Sequence, residues 1–291
     1  MSSVVTVEAV QGRVARRRFV ELPYVLFRGE PRWARPLVAY ERWRLDGNRN
    51  PAYEGGETEW WLARVAGRVS GRLLAWAPHG GGEGRFGFFD VVDDGEAAAA
   101  LIAAAAGWLR THVCSAMVGP VAFNGTDEGG VLVGGYDAGG TTGREWHPPW
   151  YAHHLVAAGL ESLHERPTWR LVSRDVDDTH DVLRPGGGIP PQAGGYGDPA
   201  LVRVGDIGEI AAVPDVSGPA ASGRSAWSLA HQARRRQWDG CTVVRLKGAA
   251  ERLVPGLVAA AVETGYEWVV APWAPDDRPF EATHRVYRLG L

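Results

Sequence analysis

Residues 4–10 alternate weakly between apolar and polar positions, the period of a strand. Residues 13–28 then place Val14, Phe19, Leu22, Val25 and Leu26 at roughly helical spacing, interrupted by Pro23. Residues 32–51 are irregular and rich in tryptophan, and they end in the turn-like Asp46-Gly47-Asn48. Three strand-like runs follow. Residues 59–65 and 68–77 flank Ala66-Gly67, a two-residue hairpin signal, and residues 84–92 supply the third. Residues 96–112 give the strongest predicted helix, alanine-rich and capped by Asp93 or Asp94. Residues 116–123 read as a buried strand. Pro148-Pro149 opens a second helix that Gly159 ends, and residues 169–176 are another strand.

Residues 185–199 hold 6 glycines and 4 prolines in 15 positions, which can sustain neither a ladder nor a helix. Beyond them the pattern resumes as strand 200–204, helix 222–237, strand 241–246, helix 249–264, strand 267–271 and strand 284–289. Helices alternating with hairpins predict an α/β protein of the α+β kind, built on a mixed sheet. The runs on either side of the Gly/Pro segment share one order: strand, alanine-rich helix, strand. The expected division is a first lobe over 1–184, a linker or loop over 185–199 and a shorter lobe over 200–291.

Composition narrows the function classes. The 291 residues are 45% hydrophobic and 22% charged, enough to bury a full core. A net charge of −3 advertises no global nucleic-acid affinity. The longest apolar run, residues 97–109, falls short of the roughly 20 residues a membrane span needs, so no membrane role is expected. The first residues lack the apolar stretch of a secretory signal, and two cysteines suit a reducing cytoplasm. Among the basic residues only Lys247 is lysine, a bias that a GC-rich genome explains along with the glycine and alanine excess. The 13 tryptophans have no such origin and are either core packing or the wall of an aromatic pocket. His147, His153 and His154 lie close together, but neighbouring histidines diverge on a helix and no i, i+4 partner exists, so no metal site is expected.

Four stretches resemble the GNAT (acyl-CoA N-acyltransferase) superfamily, and in particular its large two-lobed bacterial members. They are Leu22-Pro23-Tyr24 through Leu37 with Asn50-Pro51; the run Gly84 to Asp90; Gly119-Pro120 with Asn124, Asp127 to Gly130 and Gly135-Tyr136-Asp137; and Pro148 to Tyr151 with Ala157-Ala158-Gly159. The end of the chain resembles a second, shortened copy more weakly. The resemblance implies two adjacent strands that splay apart, a thioester donor along the freed edge and its pyrophosphate at the next helix N-terminus. In the first half that junction is Val91-Val92-Asp93-Asp94-Gly95-Glu96, whose three carboxylates repel a phosphate. The second half has Arg245-Leu246-Lys247-Gly248-Ala249-Ala250, which matches the phosphate-loop pattern directly before a predicted helix. Arg245, Lys247, Gly248 and Ala250 are therefore the cofactor-binding candidates, either as a phosphate loop or as ordinary helix N-terminal residues.

The same resemblance expects an acid tyrosine where this chain has Leu155, and Tyr151 lies one turn upstream on the same face. Asp127 and Glu128 are placed to take a proton from an amine, and the alternative is a helix N-cap that Thr126 or Asp127 satisfies equally well. Asn124, Asp90, Trp61, Trp146 and His147 complete the acceptor side. Three functions remain open. The first is transfer of an acyl group from acetyl-CoA or another acyl-CoA to a small-molecule amine. A second is aminoacyl transfer from aminoacyl-tRNA, for which the basic segment His231 to Trp238 is the cue. The third is a binding protein that kept the fold and lost the phosphate loop.

Overall fold

A computed structural model of the chain describes residues 4–36, 38–123, 129–140, 145–172, 200–204, 208–214, 240–245, 268–271 and 281–291. Strand β1 (Val5–Ala9) leads into helix α1 (Gly12–Leu26), helix α2 (Val38–Arg44) and a 3-10 turn at Pro51–Tyr53. Strands β2 (Gly56–Val65), β3 (Arg68–Pro78) and β4 (Gly82–Val91) form a meander, with the β2–β3 turn at Ala66-Gly67. Helix α3 (Gly95–Thr111) crosses to β5 (Cys114–Gly119), followed by β6 (Val131–Gly134), helix α4 (Trp150–Ala157) and β7 (Glu161–Val172). The remaining strands are β8 (Ala200–Val204), β9 (Gly208–Pro214), β10 (Gly240–Arg245), β11 (Trp268–Ala271) and β12 (Ala282–Gly290).

These strands join in the order β1-β2-β3-β4-β5-β12-β7-β11-β10-β9-β8, with β6 on β12. Two pairs are parallel, β4 with β5 and β10 with β11, as the repeated order of strand, crossover, strand requires. The strand β12 lies between β5 and β7, so each half of the chain lends a strand to the other's neighbourhood. α1 covers one face, where Phe19, Leu62, Leu74 and Phe88 cluster. α3 covers the other over Trp61, Leu73, Phe86 and Phe89, and its alanines allow close approach to the sheet. Among the described residues no helix is long and apolar enough to cross a membrane.

Several boundaries differ from the sequence expectation. Residues 38–44 are helical rather than irregular, and β7 starts at Glu161 rather than at residue 169. Strands β6 and β9 were not expected. α1 continues through Pro23, which costs the helix one hydrogen bond, and the Phe19 carbonyl left without its helical partner accepts from Arg72 Nη1 at 2.9 Å. The predicted helices 222–237 and 249–264 and the Gly/Pro segment lie outside the described residues.

β4 and β5 pair from Gly82 to Arg85, with a register shift after Gly82, and the ladder ends there, at the fork. A bulge sets Phe88 and Phe89 against the single residue Leu73 of β3, with Phe88 at φ +50°. At the fork the Phe86 carbonyl accepts from Val121 N at 2.8 Å. The backbones pass so closely that a Cβ on Gly87 would meet Val121 O at 2.3 Å and the Phe123 ring at 2.9 Å. Gly87→Ala is expected to cost about 1–3 kcal/mol by overpacking this crossing, seen as a lower melting temperature.

Candidate active site

β4 runs on past the end of its ladder with β5, and α4 takes up the backbone groups of Val91 there. Val91 N donates to the Tyr151 hydroxyl at 3.0 Å, and Trp150 Nε1 donates to the Val91 carbonyl at 3.2 Å. Tyr151 is fully buried, and its hydroxyl donates to Asp90 Oδ1 at 3.3 Å. Burial first, and then the charge of Asp90, hold this phenol well above its ordinary pKa, so it is a neutral donor.

Asp90 opens a chain of buried charges. Its Oδ2 accepts from Arg72 Nε at 2.6 Å, and Arg72 Nη2 lies 3.7 Å from Glu41. Glu41 accepts from Arg44 Nη1 at 2.7 Å, and the same nitrogen reaches the half-exposed Glu145 at 3.0 Å. Arg44 also donates twice to the Ala122 carbonyl, at 3.1 and 2.7 Å. Asn50 Nδ2 bonds the carbonyls of Arg44 and Phe123. These contacts anchor one end of segment 124–128. Its other end is held by the bridge between Val121 and Gly129 and by Gly130 N donating to Pro120 O. Asn124, Asp127 and Glu128 themselves lie outside the described residues.

His147 packs 5.6 Å from the Tyr151 ring, and its Nδ1 accepts from Leu132 N at 3.3 Å, which places the ring proton on Nε2. Burial pushes its pKa below 6.5, against the charges of Glu145 and Asp90. The unfolded chain therefore binds the extra proton first, at its ordinary value of about 6.5. The stability that the neutral ring contributes is present above that value and is lost as pH falls from it toward the depressed folded value. Urea midpoints measured between about pH 7.5 and about pH 5.5 are expected to fall, and His147→Gln is expected to flatten that fall.

Among the proposed site residues, Asp90, Tyr151 and His147 are brought together. Trp146 sits beside them in sequence, with its indole N–H on the Tyr136 carbonyl at 2.9 Å and Arg32 stacked over it at 4.8 Å. Trp61 is buried edge-on to Trp108 of α3. Arg245 ends β10, opposite Ile210 of β9. Lys247, Gly248 and Ala250 lie outside the described residues. Arg72, Glu41 and Arg44 were not anticipated. Pro23, a helix-breaker that leaves an acceptor free, and the i, i+3 charge pair Glu41/Arg44 were the available signals.

No family model matches the chain. Protein YghO of Escherichia coli is 29% identical over 166 residues, 55% of this chain and 42% of that protein. A bacterial ceramide synthase of Caulobacter vibrioides is 32% identical over 177 residues, 57% of this chain and 44% of that one. The chain thus spans under half the length of these curated relatives. Among solved structures, a putative acetyltransferase from Pyrococcus horikoshii superposes with a TM-score of 0.53 at 7% identity, covering 99% of this chain and 89% of that one. The fold is GNAT-like. A tandem GNAT protein from the clavulanic acid pathway also aligns, over 98% of both chains, at 15% identity and a TM-score of 0.48.

In a GNAT-like fold the donor pyrophosphate is expected at the N-terminus of α3. Here that terminus is already occupied by its own acids. Asp94 Oδ1 accepts from Ala97 N at 2.9 Å as the N-cap, and Asp93 Oδ1 lies 3.0 Å from His154 Nε2. With Glu96 in the first turn, the helix dipole faces carboxylates rather than an open anion cradle. These residues do not fit the diphosphate of a coenzyme A donor.

Proposed function

We propose that the chain is an N-acyltransferase that moves an acyl group from acetyl-CoA or another acyl-CoA to a small-molecule amine. The observation that carries this reading is the bulged β4, whose ladder with β5 ends at Arg85, within a GNAT-like sheet. The relative named as a ceramide synthase supports it in kind, because a ceramide is an N-acylated amine. Long-chain amines are therefore the first acceptors to try. The arrangement proposed is a GNAT-like lobe over 1–184, a connector over 185–199 and a shortened lobe over 200–291. Since the acids of α3 exclude a diphosphate, the proposed phosphate contacts fall in the second half, on Arg245, Lys247, Gly248 and Ala250.

On the acceptor side, Asp127 or Glu128 is proposed to receive the amine proton while strand amides steady the developing oxyanion. Tyr151 is proposed as the proton donor to the leaving thiolate, with Asn124, Asp90, Trp61, Trp146 and His147 around the amine. No metal enters this scheme. Calorimetric titration with acetyl-CoA and then a long-chain acyl-CoA at low salt tests it. Binding that Lys247→Ala weakens supports the reading, and silence up to millimolar donor sinks it. A second reading has its own observation in favour. Trp150 and Tyr151 already fill the backbone groups of Val91, as expected of a binding protein that lost donor access.

A further inference from the structure

A cavity of about 850 Å³ opens between α1, the start of β2 and the loop after α2. It shares no lining residue with the Asp90–Tyr151 site. Four arginines line it: Arg13, Arg16, Arg17 and Arg42. Arg17 is paired with Glu21 at 2.8 Å. The other two acids of the wall are engaged with the backbone, Asp46 accepting from Asn48 N and Glu59 from Trp60 N. Arg13, Arg16 and Arg42 are exposed and form no ion pair among the described residues.

Trp60 holds one of these guanidiniums in place. Arg16 lies 5.5 Å over its ring, and Phe19 packs against the same indole at 5.1 Å. The aromatic wall is thus committed to fixing an arginine rather than open for stacking a base. The α1 N-terminus beside the cavity adds a positive end, for Gln11 makes no side-chain cap and the first turn carries no acid. Tyr53 contributes to the lining, but it is only 6% exposed, stacks on Phe123 and has its hydroxyl shut off from solvent, so it offers a ligand no donor.

Three guanidiniums without an ion pair among the described residues exceed what one carboxylate can use. A phosphate, with up to four oxygens and about two charges, satisfies them through forked bonds. The cavity is far larger than a phosphate and lies in the usual range for organic ligands, about 300–1,000 Å³. We propose that this cavity is a binding site for the phosphate group of a phosphorylated organic molecule, held by Arg13, Arg16 and Arg42. The source of that group is either a soluble phosphoester or a phospholipid headgroup, and the site stands apart from the acyl-transfer reading.

Inorganic pyrophosphate is the first probe, titrated calorimetrically at low salt into the full chain. Binding is expected, weakened about tenfold for each of Arg16→Ala and Arg42→Ala. Arg110→Ala, an exposed arginine in the last turn of α3, is expected to leave it unchanged. Co-sedimentation with phosphatidate-containing vesicles separates the sources. Sedimentation that pyrophosphate reverses and Arg16→Ala abolishes identifies a lipid headgroup, and pyrophosphate binding without sedimentation identifies a soluble phosphoester. Absence of both, or an equal loss with Arg110→Ala, overturns the proposal. Vesicle binding indifferent to Arg16 and Arg42 does the same.

Discussion

Arg72→Met is expected to lower the free energy of unfolding by about 3–5 kcal/mol, the usual cost of removing one partner of a buried ion pair. The side chain is 4% exposed and answers three groups at once: Asp90, Glu41 and the Phe19 carbonyl that Pro23 leaves unsatisfied. Methionine keeps much of the volume, so the loss reports the charges rather than a cavity. Urea unfolding of Arg72→Met, Asp90→Leu and the double variant separates the terms. The double variant is expected to be more stable than Arg72→Met, because it no longer strands the Asp90 charge. Pro23→Ala in the Arg72→Met background restores a helical donor for Phe19 and is expected to recover part of the loss. A loss below about 1 kcal/mol for Arg72→Met would place the pair among solvent-screened surface bridges and refute the buried network.

Tyr151→Ala ranks beside it, with an expected loss of about 3–5 kcal/mol for emptying a fully buried aromatic site. The informative partner is Tyr151→Phe. It keeps the packing on Phe89 and His147 but leaves Val91 N and Asp90 without the hydroxyl, for about 1–2 kcal/mol. If the phenol serves as proton donor, Tyr151→Phe lowers kcat well beyond what its stability loss explains and changes the alkaline limb of the pH–rate profile. A stability loss with unaltered turnover assigns the hydroxyl to the architecture of the fork alone.

Elements that rest on an apolar period were legible in the sequence. The β2–β3 hairpin turns at Ala66-Gly67, and α3 starts at its Asp94 cap, as the pattern indicated. α2 escaped notice because it turns Glu41 and Arg44 inward, so its buried face carries charge where the pattern looks for hydrophobes. The first half of β7 hid for a related reason. Glu161, Ser162, His164 and Glu165 are exposed, and pairing with β12 rather than burial makes the segment a strand. Of the site, Asp90 and Tyr151 lie in segments that carry the resemblance, and His147 stands directly before one of them. The arginines that organise them were not, because only three-dimensional pairing distinguishes Arg72 from the many other arginines of this chain. The tryptophans divide between the two readings, with Trp61 and Trp146 buried in the core and Trp60 on the wall of the arginine cavity.

The placement of β12 has a consequence for how the molecule comes into being. β5 is complete at Gly119, but the strand that pairs with it begins only at Ala282, and β7 waits for both β12 and β11. As the chain emerges from the ribosome, the middle of the sheet is therefore the last part to be filled. Until then two unpaired edges face each other across a gap one strand wide, the kind of surface that recruits other chains. Such long-range closure is intrinsically slow. Elongation speed through residues 120–281 and holding by a chaperone thus set the yield of folded protein, even where the finished sheet leaves no sign of the delay.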